Sequence, residues 1–125
     1  MIRTILSIFI TLALILGVSF FEIAYVHTTF DTFSETIENL RDKVEAGIAT
    51  YQDGITVQNH WRKKRDILHV WVPHNSLQEV DYQLDETVGF LYVNDYESAL
   101  PKLEVVAGLT KNIPELYTFR LGNIF

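Results

Sequence analysis

TILSIFITLALILGVSFF, residues 4–21, contains no ionisable side chain and consists largely of Ile, Leu, Phe and Val. As a helix this stretch spans about 27 Å, at about 1.5 Å per residue. Past the single Glu22 the apolar run resumes with Ile23, Ala24, Tyr25 and Val26, which carries it beyond the ~30 Å hydrocarbon core of a bilayer. Residues 1–27 therefore read as a membrane anchor that meets lipid through residues 4–26. Glu22 falls near the far headgroups, with Tyr25 and His27 as interfacial residues. Arg3 and the α-amino group precede the run, whereas Asp31, Glu35 and Glu38 follow it. The positive-inside rule then puts the N-terminus in the cytoplasm and the remainder of the chain outside. A cleaved signal peptide is the competing reading, since Gly17-Val18-Ser19 offers small residues where a signal peptidase inspects the chain. Phe20 and Phe21 continue the apolar run through that point and speak against cleavage. Ala13 and Gly17, four apart on one helix face, would let a second helix approach closely.

Residues 28–125 leave room for one domain with a modest core and no second unit. The chain has no cysteine, so disulfides and thiol-ligated metals are excluded and the domain must stand on packing alone. After residue 27, nine Lys or Arg face fifteen Asp or Glu. This acidic balance disfavours nucleic acid as a partner.

The domain reads as helical throughout. Phe30, Phe33, Ile37, Leu40, Val44 and Ile48 follow three- and four-residue steps opposite a charged face. Because no Gly or Pro lies between Gly17 and Gly47, nothing obvious stops the membrane helix from continuing into this first amphipathic one. Tyr51-Gln52-Asp53-Gly54 reads as a turn, and a second helix is expected from about Ile55 to Val72. Val57, Trp61, Leu68 and Trp71 are placed on its buried side, with Pro73 closing it. Ser76 and Glu79 have the form of a capping box for a third helix, with Leu77, Val80, Leu84, Val88 and Leu91 inward. Asn94 and Glu97 repeat the pattern for a fourth, with Ala99, Leu100, Leu103, Val106, Ala107, Thr110 and Ile113 inward. A kink is expected at Pro101 and an end at Pro114. The apolar tail from Leu116 to Phe125 should pack back onto the bundle. The expected fold is thus all-α: an N-terminal transmembrane helix, then a small extracytoplasmic domain of four helices in two helical hairpins. Val93 to Leu100 is similar to part of a tetratricopeptide hairpin, but the other signature positions of that repeat are missing.

Few residues suggest chemistry. His27, His60, His69 and His74 lack the spacing that converges ligands on zinc. His74 is expected to tie the turn between helices to a neighbouring helix or a backbone carbonyl. Glu79, Asp81, Asp85 and Glu86 fall at the spacings of a solvent face rather than across an enclosed pocket. There is no Gly-rich phosphate loop or serine elbow. The expectation is a protein that is not an enzyme and carries no cofactor or metal. Arg62, Lys63, Lys64 and Arg65 read either as a docking patch for lipid headgroups or an acidic partner, or as a solvated helix face. Trp61 and Trp71 read as core anchors, with an aromatic-lined groove for a small apolar ligand as the alternative.

The order of features resembles a domain-of-unknown-function family. An N-terminal span and an acidic helix come first, then Trp61 with basic residues after it and a Pro73-His74 turn with Leu77. Asn94-Asp95-Tyr96 with Ala99, Ile113-Pro114 and a terminal Asn123-Ile124-Phe125 complete the pattern. Members are small single-span proteins of Gram-positive, often endospore-forming bacteria. The resemblance marks Trp61, His74 and Asn123 as landmark positions and implies no activity. Families of this sort are often encoded beside multi-span membrane proteins, which implies an accessory subunit with a membrane-protein partner. The functional expectation is an accessory or scaffolding protein that binds another membrane or envelope component, with an extracytoplasmic sensor or ligand-binding module as the alternative.

Overall fold

In the computed structural model, the apolar stretch and the first amphipathic stretch are one element. Helix α1 runs without interruption over Ile2–Glu45. It is followed by α2 (Tyr51–Leu68), α3 (His74–Tyr92) and α4 (Tyr96–Ile124). The structure describes residues 1–70 and 72–124, with side chains as far as residue 115 apart from residue 71. Among the described residues there is no strand. The described residues therefore form four helices, the first shared between the apolar segment and the bundle, rather than an anchor plus four separate ones.

The bundle closes as a ring, in which α1 packs on α2 and α4, and α3 packs on the same two helices. Side-chain pairs fix the directions. Lys43 meets Asp53 at one end of the α1–α2 contact, while Phe30 and Phe33 meet Trp61 further back, so α2 runs antiparallel to α1. Arg41 pairs with Glu104 across α1 and α4, and Lys102 pairs with Glu86 across α4 and α3. One ion pair or more thus joins each neighbouring couple of helices. These are largely exposed contacts worth about 0–1 kcal/mol each, so they set register more than stability.

Stability comes from the apolar stripes. Phe30, Phe33, Ile37, Leu40 and Val44 of α1 are buried, as are Val57, Trp61 and Leu68 of α2. Leu77, Val80, Leu84 and Leu91 of α3 share one core with Ala99, Leu103, Val106 and Ile113 of α4, and Val88 is buried beside Gly54 of α2. Packing reaches back along α1 to Val26, with Ile23 against the core edge, so the last turn of the apolar stretch already belongs to the bundle. Ile48, expected inside, is 66% exposed because α1 has ended three residues earlier.

The helix ends differ from the expected ones in instructive ways. Thr50, not a residue near Gly54, starts α2. Its hydroxyl accepts the Asp53 N–H at 3.1 Å, and the Asp53 carboxylate accepts the Thr50 N–H at 2.9 Å, a reciprocal capping box. Gly54 is no turn residue: it is buried inside α2, where an added Cβ would lie 2.9 Å from Leu91 Cδ1. It permits α2 and α3 to approach closely. The other end of α2 comes at Leu68, before Val72, and the backbone N–H of Val72 returns to the Leu68 carbonyl at 2.9 Å.

Pro73 in extended geometry occupies the N-cap of α3, so Ser76 lies within the helix and no side-chain cap bond forms. Asn94, expected to open α4, instead closes α3 with φ 58°. The Asn94 N–H bonds to Leu91 O and the Asp95 N–H to Phe90 O, which is a Schellman motif. Asp95 then caps α4 by accepting the Ser98 N–H at 3.1 Å. The end of α1 uses the same motif, with Gly47 at φ 70° and bonds from the Gly47 and Ile48 N–H groups to Val44 O and Lys43 O. Helix α4 passes through Pro101 and, contrary to expectation, through Pro114. The backbone bond lost at Pro114 is offset by packing, since Ile113 and Pro114 are both buried, whereas Pro101 is exposed. The expected fold-back of residues 116–125 concerns side chains outside the described set, as does the burial of Trp71.

Candidate interaction surface

Four consecutive cations on α2 cannot all face the same way, because a helix turns about 100° per residue. The structure divides them. Arg65 Nε lies 2.7 Å from Asp81 Oδ2 on α3, an ion pair in which the N–H is not aimed along the contact. Arg62 lies 3.9 Å from Asp85, one turn further along α3. The same two carboxylates accept hydrogen bonds from α2: Trp61 Nε1–H donates to Asp81 at 2.6 Å, and Gln58 Nε2–H donates to Asp85. Glu79, Asp85 and Glu86 are exposed, as their spacing suggests, and Asp81 is half-buried; Asp81 and Asp85 in addition serve as the acceptors of an α2–α3 staple. The groove they share, of about 410 Å³, is lined by charged and amide groups with only the edges of Trp61 and Tyr82 between them.

Trp61 itself is 1% exposed. Its ring packs at 4.9 Å on Phe33 and 6.1 Å on Phe30, so it anchors the core while its single polar atom reaches the staple. This favours the core reading over a ligand groove at Trp61.

Lys63 and Lys64 turn the other way. Neither forms an ion pair among the described residues, and they border an open depression with Asn59, His60 and Ile67. His60 is half-buried at its floor, with its ring 5.9 Å from Phe33 and Nε2 enclosed without a hydrogen-bond partner. Burial first, then the charges of Lys64 and Lys63, lower its pKa below 6.5 and hold the ring neutral at pH 7. The surface presented by α2 is thus two free ammonium groups above a neutral imidazole and Ile67. Of the four-residue basic run, the sequence foresaw the charge but not the division of labour, which depends on what α3 places opposite Arg62 and Arg65.

A second groove, about 430 Å³, runs between α1 and α4, floored by the small residues Ser34, Ala107 and Gly108. Its walls mix both signs of charge, from Asp31, Glu38 and Glu104 to Arg41 and Lys111. In the apolar half of α1, Ala13 and Gly17 are exposed, and nothing lies within 4 Å of a Cβ built on Gly17. His74 is exposed and stands edge-on to His69, with ring centroids 5.8 Å apart. Asn123 lies in α4, but its side chain is outside the described set.

Comparison with curated proteins gave no match, and comparison with solved structures gave none. A family model does match, over residues 20–124. It starts close to Ile23, where α1 first packs against the core, and it takes in the whole bundle while leaving out most of the apolar stretch. With the bundle half of α1, the whole of α2, α3 and α4 and the interhelical staple falling inside that match, the chain belongs to the family described as domain of unknown function DUF4363.

Proposed function

We propose that this protein is a single-span accessory or scaffolding protein, whose bundle stands outside the cytoplasmic membrane and binds a multi-span membrane protein. One observation carries the reading: α1 is a single helix of 44 residues, about 66 Å long, whose first half is apolar and exposed and whose second half supplies the bundle core. Without a hinge between the two halves, the position of the bundle is tied to that of the span. A rigid mount of this kind suits a protein that holds a neighbour in register. Arg3 before the span and the acidic residues after it support a cytoplasmic N-terminus. The Ala13–Gly17 face is open to a partner's transmembrane helix, and the Lys63–Lys64 surface is open to an acidic patch above the bilayer.

Crosslinking in intact cells, followed by gentle solubilisation and mass spectrometry of what stays attached to the full-length protein, tests this. A multi-span protein recovered in stoichiometric amount, and lost from the Gly17→Leu variant, is the expected result. A lone monomer would contradict it.

A further inference from the structure

The end of the bundle formed by the α2–α3 connection differs in composition from the opposite end. From Ile67 to Gln78 there is no Asp, Glu, Lys or Arg. The connections at the other end carry Glu45, Asp53, Asp95 and Glu97 at or beside them. Two large aliphatic side chains stand out from the neutral connection: Ile67 is 48% and Val70 78% exposed.

The pairing of α1 with α2 places this connection along α1. Lys43 is opposite Asp53, and Phe33 is opposite Trp61. Continued in the same antiparallel register, Ile67 falls level with about His27 and Val70 with about Ala24. A bilayer core of ~30 Å takes about 20 helical residues. Counted from Arg3, it ends at about Ile23 or Ala24, the level of Val70. Lys64, six residues back along α2, has its backbone about 9 Å further out, just past a headgroup layer of about 5–7 Å, to which its long side chain can reach back. Neutral, apolar groups nearest the hydrocarbon with ammonium groups above them form the gradient of a membrane-interfacial surface.

Resting on the reading of α1 as a span, we propose that the α2–α3 connection is a second membrane contact, with Ile67 and Val70 seated in the interface of the bilayer that α1 crosses. The bundle then stands on the membrane at two points rather than on a single stalk. Continuity with the span favours lipid over a second protein as the occupant, because the exposed apolar surface of α1 and that of the connection meet at one level.

Because the protein contains no cysteine, single-cysteine probes can be placed cleanly in the full-length chain. Leu12→Cys, Val70→Cys and Ile48→Cys variants, each exposed in the native fold, are labelled with an environment-sensitive fluorophore. They are then reconstituted in phosphatidylcholine vesicles containing lipids spin-labelled at both deep and shallow acyl-chain positions, the deep label reporting on Leu12 near the middle of the span and the shallow one on Val70 at its edge. The expected result is loss of most of the emission at both Leu12 and Val70, with Ile48, at the opposite end of the bundle, at the level of free dye. Quenching at Leu12 but none at Val70 beyond that at Ile48 would overturn the second contact and leave the span intact. No quenching at Leu12 would overturn the span and this inference with it.

Discussion

Asn94 shows how one backbone conformation decides where a helix ends. Its φ of 58° lies in the left-handed region, which Asn tolerates and β-branched residues do not. Asn94→Val should cost about 1–2 kcal/mol of bundle stability, whereas Asn94→Gly should be neutral or mildly stabilising, as read by thermal unfolding in detergent. At Trp61 the cost has two parts. Trp61→Ala should destabilise by about 3–5 kcal/mol through loss of packing on Phe30 and Phe33. Asp81→Ala should cost about 1–3 kcal/mol by leaving the indole N–H without its acceptor. His60 links stability to pH. Its folded pKa is lowered, so the unfolded chain binds the proton more readily, and the bundle loses stability as pH falls below 6.5 toward the folded value. Melting temperature should therefore decline between neutrality and the onset of carboxylate titration, and His60→Gln should flatten that decline. An unchanged slope in the variant would remove His60 from the account.

At the scale of the element, the periodic stripes were legible in sequence and the helix ends were not. Phe30 to Val44, Leu77 to Leu91 and Ala99 to Ile113 all lie inward as their spacing predicts, because a bundle buries whatever repeats every three or four residues. Ends depend on single residues whose alternatives differ by little. Ser76 and Asn94 both look like N-caps, yet the extended geometry of Pro73 starts α3 two residues before Ser76, and a Schellman motif takes Asn94 for the end of α3. Gly54 looked like a breaker because a glycine in a helix normally costs about 1 kcal/mol. Its reason is tertiary, in the closeness of Leu91 and Val88. Gly54→Val should accordingly destabilise by about 1–3 kcal/mol, through overpacking that forces α2 from α3, and chemical denaturation would measure it. The candidate surface was legible in the same partial way. The basic run on α2 is apparent from sequence, but only the fold shows that Arg62 and Arg65 serve α3 while Lys63 and Lys64 remain open.

The whole molecule is an apolar helix that becomes one wall of its own bundle. Two features lock the end farthest from the apolar segment: the Tyr96 hydroxyl donates to the Ala49 carbonyl at 2.7 Å, and Tyr51 meets Tyr92 edge-on at 5.1 Å. They join the α1–α2 and α3–α4 connections, so the two hairpins move as one body. In the proposed scaffolding role, a bundle tied in this way to an unbroken α1 would transmit position from the membrane outward. Everything in that role depends on α1 crossing the bilayer with the bundle outside. The most direct measurement is to express Ile48→Cys in intact cells, treat them with a membrane-impermeant maleimide, and then fractionate. The account predicts a protein found wholly in the membrane fraction and labelled before lysis. A protein recovered in the soluble fraction, or one labelled only after the cells are opened, would contradict it.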